Sequence, residues 1–284
     1  MTEQIDPSGL RGQFAVVTGG GRGIGRIFAR ALAAAGATVA VIGRAMDDLQ
    51  ETIRQIETAG GRAVAAAIDV ADRAQVDDGF ARLESTVGSV DLLVNNAGLW
   101  GPIDDLWKVD PEDWWQTMEV HVGGTFRCCR AVLPGMVQRG AGRIVSIVSH
   151  AGVHRWPTCS AYSVSKAAVI KLMENLSFET RRQGVSVFAF HPGLMAAGLG
   201  QQAIDMRAPE GSPSARAASW IRSEFAAGRS VSPERAARFL VGVAAGDADR
   251  LSGRYLTVFD DLRALQARAE EIAEGDLLTL GLRD

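Results

Sequence analysis

Phe14-Ala15-Val16-Val17-Thr18-Gly19-Gly20-Gly21-Arg22-Gly23-Ile24-Gly25 joins a short apolar run to a glycine-rich turn. Directly behind it Ile24, Ile27, Phe28, Ala31 and Leu32 recur at helical spacing, and Gly36 stops the stretch. A strand, a glycine turn and a helix make the first half of a βαβ crossover. Glycines there let the backbone turn sharply and approach a pyrophosphate closely. The helix start adds free N–H groups and the positive end of a dipole. Gly19, Arg22, Gly23, Ile24 and Gly25 are therefore candidate dinucleotide contacts. Taken alone, the stretch also fits a plain glycine-rich turn.

The alternation continues down the chain. Residues 38–42, 63–68, 90–94, 143–148, 185–190 and 255–259 are further apolar runs, and amphipathic stretches at 46–59, 73–87, 110–139 and 157–182 separate them. Asp110-Pro111-Glu112 and Ser232-Pro233-Glu234 each place a capping side chain before a proline suited to the first helical turn. Strands that are apolar on both faces and alternate with helices belong to parallel sheets. The expected fold is α/β: a doubly wound, Rossmann-like parallel sheet of about seven strands with helices on both faces. One domain is expected over residues 1–284, with its core at about 10–260. Residues 194–230 are rich in Gly, Ala, Ser, Met and Pro and have weak periodicity; they are expected to form a substrate lid. Residues 260–284 read as a helical tail, with Leu262, Leu265, Ala269 and Ile272 on one side.

Composition narrows the classes. The 284 residues are 47% hydrophobic and 22% charged, as in ordinary globular proteins. A net charge of −3 argues against a nucleic-acid binder. Cys128, Cys129 and Cys159 form neither a disulfide framework nor a metal knuckle, and the 4 histidines are not spaced as metal ligands. Residues 1–13 carry Glu3, Asp6 and Pro7 and have no apolar run of the kind a signal peptide needs. No stretch approaches the ~18 uninterrupted apolar residues of a membrane span. A cytoplasmic protein with no metal, membrane or nucleic-acid partner is expected.

An acid about 20 residues past the glycines would bond a ribose 2′-hydroxyl and favour NAD(H). This strand instead ends Ile42-Gly43-Arg44. Arg44, with Arg22, can hold a 2′-phosphate through charge-assisted bonds, so NADP(H) is expected over NAD(H). Two solvated surface arginines would look the same. Further on, Tyr162 and Lys166 stand four residues apart within a helical stretch and so share a face. Free tyrosine titrates near ~10, and a neighbouring ammonium is expected to lower that value and tune the phenol for proton exchange. Ser149 follows the fifth strand, where open α/β sheets place ligands.

In order and spacing, Thr18 to Gly25, Asn95-Asn96-Ala97-Gly98, Ser149, Tyr162 with Lys166, and Pro192-Gly193 closely resemble the short-chain dehydrogenase/reductase family over about residues 10–260. The resemblance implies that Tyr162 is the general acid/base, Lys166 binds the nicotinamide ribose and tunes Tyr162, and Ser149 orients the substrate oxygen. It further implies that Asp69 and Val70 contact adenine, that Asn96, Ala97 and Gly98 line the cofactor, and that Pro192 and Gly193 face the nicotinamide. A homodimer or homotetramer is implied as well.

The chain departs from the family in three places. His121 stands in Val120-His121-Val122-Gly123-Gly124 where the family usually has an Asn; it is either a proton relay or a packed helix residue. The Thr that usually follows Pro-Gly is missing from Leu194-Met195-Ala196-Ala197. Asp260-Asp261-Leu262 replaces a frequent Asp-Gly-Gly. Trp100, Trp156 and His150 are candidate walls of the substrate site, with His154 and Arg155 beside them. The expected reaction is hydride transfer between NADP(H) and a medium-sized, partly apolar or aromatic ketone or secondary alcohol, as in a ketoreductase or alcohol dehydrogenase. A non-redox isomerase, dehydratase or cyclase on this fold, or a non-catalytic dinucleotide-binding protein, is the alternative.

Overall fold

A computed structural model describes residues 9–281. The readings of residues 1–13 and 260–284 therefore extend outside the described residues at 1–8 and 282–284. Strand β1 (Phe14–Thr18) is buried along its whole length. It pairs in parallel with β2 (Thr38–Gly43) on one side and β4 (Leu92–Asn95) on the other, so Val17 lies between Val41 and Val94. With β3 (Arg62–Ala67), β5 (Gly142–Ile147), β6 (Val185–His191) and β7 (Tyr255–Thr257), the sheet has seven strands in the order β3-β2-β1-β4-β5-β6-β7. Strand order reverses direction between β1 and β4. The crevice outside the carboxyl ends of the strands at such a reversal is where open α/β sheets bind ligands.

Strand pleating sorts the core into two layers. Ala15 and Val17 of β1 pack with Val39, Val41 and Phe190 under α1 (Gly23–Ala34), α2 (Met46–Thr58) and, further along, α9 (Pro233–Ala245). Phe14 and Val16 point to the other face, under α3 (Arg73–Val87), α5 (Gly124–Arg139) and α6 (Ser160–Thr180). Each fully buried Val, Leu, Ile or Phe contributes roughly 1.5–3 kcal/mol, so both faces commit the sheet to this order.

The structure refines four expectations. The long helix from Asp110 is divided: α4 (Pro111–Met118) passes through a π turn at Glu119–Gly123 into α5. Helix α6 starts at Ser160 rather than Pro157, because Thr158 has φ 67°, a left-handed conformation no β-branched residue adopts inside a helix. Strand β7 ends at Thr257, where the Asp260 carboxylate accepts the Thr257 N–H at 2.6 Å and turns the chain. Residues 194–230 contain two helices, α7 (Leu199–Asp205) and α8 (Pro213–Ala226), and the tail forms α10 (Leu262–Ala267) and α11 (Ala269–Glu274). The carbonyl of Leu278 then accepts the Tyr255 N–H at 2.8 Å, giving the edge strand β7 a backbone partner.

Candidate active site

The glycine turn rests on β4. The Thr18 hydroxyl accepts backbone N–H groups from Asn96 at 2.9 Å and Ala97 at 2.8 Å, while the Asn96 amide donates to the Thr18 carbonyl at 2.8 Å. A Cβ at Gly25 would lie 2.2 Å from the Gly19 carbonyl oxygen, so only glycine lets α1 begin this close to the turn. Two residues that the sequence reading passed over brace the turn from behind. Buried Thr52 sets its hydroxyl 3.0 Å from the Gly20 carbonyl, and Arg26 bonds that hydroxyl at 2.9 Å and reaches the Gly21 carbonyl. Both lie on helices at positions without a motif, so no spacing announced them.

A cleft of about 1540 Å³ opens above the turn. That exceeds the ~300–1,000 Å³ of a single drug-sized ligand and has room for a dinucleotide with a second molecule. Gly19, Arg22, Ile24 and Gly25 line one end. Arg44, Asp69 and Val70 line its β2–β3 side, and Asn96, Ala97 and Gly98 its floor. Gly23 has φ +54°, and a Cβ there would lie 2.6 Å from the Cα of Gly198, which lines the cleft. Arg22 and Arg44 are exposed on the cleft, and among the described residues their side chains form no ion pair or hydrogen bond. The glycine cradle and these two free cations suit a phosphorylated dinucleotide.

Ser149, Tyr162, Lys166, Pro192 and Gly193 line the far end. Ser149 caps a 3₁₀ turn at His150–Gly152, accepting the Ala151 N–H at 3.2 Å, and its hydroxyl lies beside the Tyr162 phenol. Lys166 lies one helical turn along α6 and donates to the Ile147 carbonyl at 2.9 Å. Its ammonium nitrogen is 5.7 Å from the Tyr162 ring centre. Burial pushes Lys166 down to about 8. Burial also pushes Tyr162 up to about 12, against the pull of the neighbouring Ser149 hydroxyl. Desolvation is the largest cause and keeps Tyr162 a protonated phenol at neutral pH, the opposite direction from the lowering expected of a neighbouring ammonium.

His121 lies behind the cleft rather than on it. The π turn carries it inward until it is 1% exposed. Its Nε2 accepts the Leu99 N–H at 3.0 Å, which leaves the ring proton on Nδ1, 2.7 Å from the Ser165 hydroxyl. Ser165 in turn donates to the Tyr162 carbonyl at 2.8 Å. Burial, with the Lys166 charge second, holds His121 well below the usual histidine range.

Residues 13–208 match the model of the short chain dehydrogenase family. The chain is a short-chain dehydrogenase/reductase. A short chain dehydrogenase of Monascus purpureus is 35% identical over 95% of this chain and 89% of its own length. One from Pseudocercospora fijiensis is 39% identical over 67% of this chain, which spans only 62% of that protein. Among solved structures, a gluconate 5-dehydrogenase from Burkholderia cenocepacia, in complex with NADP and tartrate, superposes with a TM-score of 0.79. It is 31% identical, and the match covers 92% of this chain and 98% of that one.

Around the Ser149–Tyr162 end of the cleft in this short-chain dehydrogenase/reductase stand aromatic rings. Trp100 lies 5.2 Å from the Tyr162 ring, and Trp156 5.5 Å from Trp100. Trp100 also holds the start of α7, donating from Nε1 to the Leu199 carbonyl at 3.0 Å. Trp220 of α8 reaches within 5.5 Å of Trp156. The sequence reading missed it because a lone Trp in an aperiodic stretch gives no clue to where it folds. His150 lines the cleft beside Ser149, as does His191, which the same reading did not assign to the site. Trp107 and Trp115 point outward, 81% and 63% exposed, and Trp114 donates to Ser160 at 3.1 Å. Among the described residues no group of three or more His, Cys, Asp or Glu is placed to hold a metal ion, and no helix is long and apolar enough to cross a membrane.

Proposed function

We propose that this short-chain dehydrogenase/reductase is a one-domain, NADP(H)-dependent enzyme acting on ketones or secondary alcohols of medium-sized, partly apolar or aromatic compounds. The observation that carries the reading is the Ser149–Tyr162 hydroxyl pair with Lys166 one turn away, set at the far end of a cleft that starts on the glycine turn. A bound nicotinamide supplies or accepts the hydride at the carbonyl carbon. In the reducing direction the two hydroxyls hold the carbonyl oxygen between them. As negative charge grows on that oxygen, the Tyr162 O–H bond breaks and its proton passes to the oxygen, completing the alcohol. Lys166 stabilises the phenolate left behind and, as its family resemblance implies, holds the nicotinamide ribose. Asp69 and Val70 are assigned to adenine, Asn96, Ala97 and Gly98 to the cofactor's length, and Pro192 and Gly193 to the nicotinamide. Arg22 and Arg44 are assigned to a 2′-phosphate, in keeping with the NADP bound by the gluconate 5-dehydrogenase.

His121 is assigned a positioning role. Its Nε2 lone pair is spent on Leu99 and its proton on Ser165, so it clasps the loop after β4 to α6 and stands outside the proton path. The three cysteines are buried and unpaired, which suits a cytoplasmic setting. Exposed Phe126 on α5 and Phe178 on α6 suit a homodimer or homotetramer.

The test is loss of NADPH absorbance when the protein is offered a panel of alkyl and aryl ketones. Turnover is expected with at least part of the panel, and Tyr162→Phe is expected to abolish it while NADPH still binds. Retained turnover in that variant would remove Tyr162 from the chemistry.

A further inference from the structure

Tyr162 and three tryptophans meet ring to ring, and all four line the cleft. Trp100 lies tilted against Tyr162, with ring centres 5.2 Å apart. Trp156 stands nearly perpendicular to both, at 83° to Trp100 and 87° to Tyr162. Trp220 of α8 then meets Trp156 at 63°, with centres 5.5 Å apart. An edge-to-face pair covers only one of its four ring faces. Trp220 lines the cleft and is 50% exposed, so ring surface stays open there.

The protein itself holds these indoles in place. Trp100 spends its N–H on the Leu199 carbonyl at 3.0 Å. Trp156 packs on the buried cluster of Ala151, Cys159 and Tyr162. Helix α8 buries Ala217, Ala218 and Ile221, and its Ser214 hydroxyl donates to the Ile103 carbonyl at 3.0 Å, which fixes the helix that carries Trp220. Side chains ordered before a ligand arrives cost it no ordering entropy on binding. A large apolar side chain left half exposed on a cleft wall gains from any guest that covers it. A flat aromatic guest gains more than a puckered one of equal size, because only a flat ring brings a π face into stacking distance of an indole. The reacting carbonyl belongs at the Ser149 and Tyr162 hydroxyls, and Trp220 is only two ring contacts from Tyr162.

We propose that Trp100, Trp156 and Trp220 form a preorganised slot for a planar aromatic ring of the substrate, and that Trp220 is the residue that selects aryl ketones over ketones with saturated rings of the same size. This rests on the oxidoreductase reading above for its chemistry and narrows its substrate.

The test measures Kd by calorimetry on the protein saturated with NADP⁺, using acetophenone against cyclohexyl methyl ketone and 4-phenyl-2-butanone against 4-cyclohexyl-2-butanone. Each pair shares its carbonyl and differs in the flatness of its ring; the two pairs differ in reach. In at least one pair the aryl ketone is expected to bind about threefold tighter or more. Trp220→Leu keeps apolar bulk without a ring face and is expected to bring that preference below about twofold, whereas Trp220→Phe keeps a face and is expected to hold it at about twofold or more. A preference under about threefold in both pairs, one that survives Trp220→Leu, or one lost in Trp220→Phe would overturn the proposal. NADPH affinity is expected to stay within about twofold in both variants; a larger loss assigns Trp220 to the cofactor and also overturns it. NADPH oxidation in the same samples reports on the parent reading alone. Aryl-selective binding without oxidation by any of the four ketones sinks the oxidoreductase and leaves the slot, and oxidation with equal affinities sinks the slot and leaves the oxidoreductase.

Discussion

Burial lifts Tyr162 to about 12 and lowers Lys166 to about 8, so near neutral pH the pair is a phenol beside an ammonium. The direction of the shift decides which reaction is ready. Reduction consumes the protonated phenol, which persists throughout the neutral range. Oxidation needs the phenolate, whose fraction grows as pH climbs toward the raised pKa. Alcohol oxidation is therefore expected to accelerate between pH 6 and pH 8, before Lys166 gives up the charge that stabilises the phenolate, measured as kcat/KM with NADP⁺, while ketone reduction stays level over the same range. An oxidation rate independent of pH over that interval would contradict a phenol base. Cofactor choice is also a single-residue matter. Among the described residues the Arg44 side chain has no partner to lose, so Arg44→Ala should leave the fold alone and remove only what the cation does for a 2′-phosphate. A charge-assisted bond of that kind is worth about 1.5–3 kcal/mol, or roughly ten- to a hundredfold in NADPH affinity. NADH affinity should change little, and fluorescence titration of both would show equal loss if Arg44 were only a surface residue.

At the scale of elements, much of the molecule was legible because strands and helices announce themselves through burial. β1, α3 and the cap at Asp110 fell where period and capping chemistry put them, since a strand buried on both faces must be continuously apolar. The π turn was not legible. Glu119–Gly123 has no proline, and its extra residue becomes visible only when His121 is seen facing inward. The same holds for α7 and α8, whose buried residues are mostly small, Gly200 and Ala203 in one and Ala217, Ala218 and Ile221 in the other, and so leave only a faint apolar stripe. The π turn makes its own prediction. His121→Ala removes the acceptor of the Leu99 N–H, which should cost about 1–3 kcal/mol of stability and lower kcat by loosening the loop after β4 against α6. Because His121 stands outside the proton path, the pH profile of the remaining activity should keep its shape. A displaced or flattened profile would return the imidazole to the relay.

Three large aromatic side chains stand exposed on α4, α5 and α6. Phe126 of α5 is 54% exposed, Phe178 of α6 is 64% exposed, and Trp115 of α4 is 63% exposed. An Arg181 guanidinium 3.7 Å from the Phe178 ring centre shields it only in part. Helices that turn their other sides into the core have no reason to spend large aromatic side chains on water, and such surfaces mark association. A stable symmetric interface covers about 800 Å² on each partner, an area that two adjacent helices can supply. Placing a charge at the centre of such a contact sets two like charges against each other across the symmetry axis, in a setting that gives neither a partner. The unaltered protein is accordingly expected to sediment as a dimer or tetramer at micromolar concentration, and Phe126→Asp with Phe178→Asp as a monomer with unchanged far-ultraviolet circular dichroism. If the unaltered chain sediments as a monomer, these aromatic side chains answer to some other partner. If the double variant stays assembled, the subunits meet through a different face.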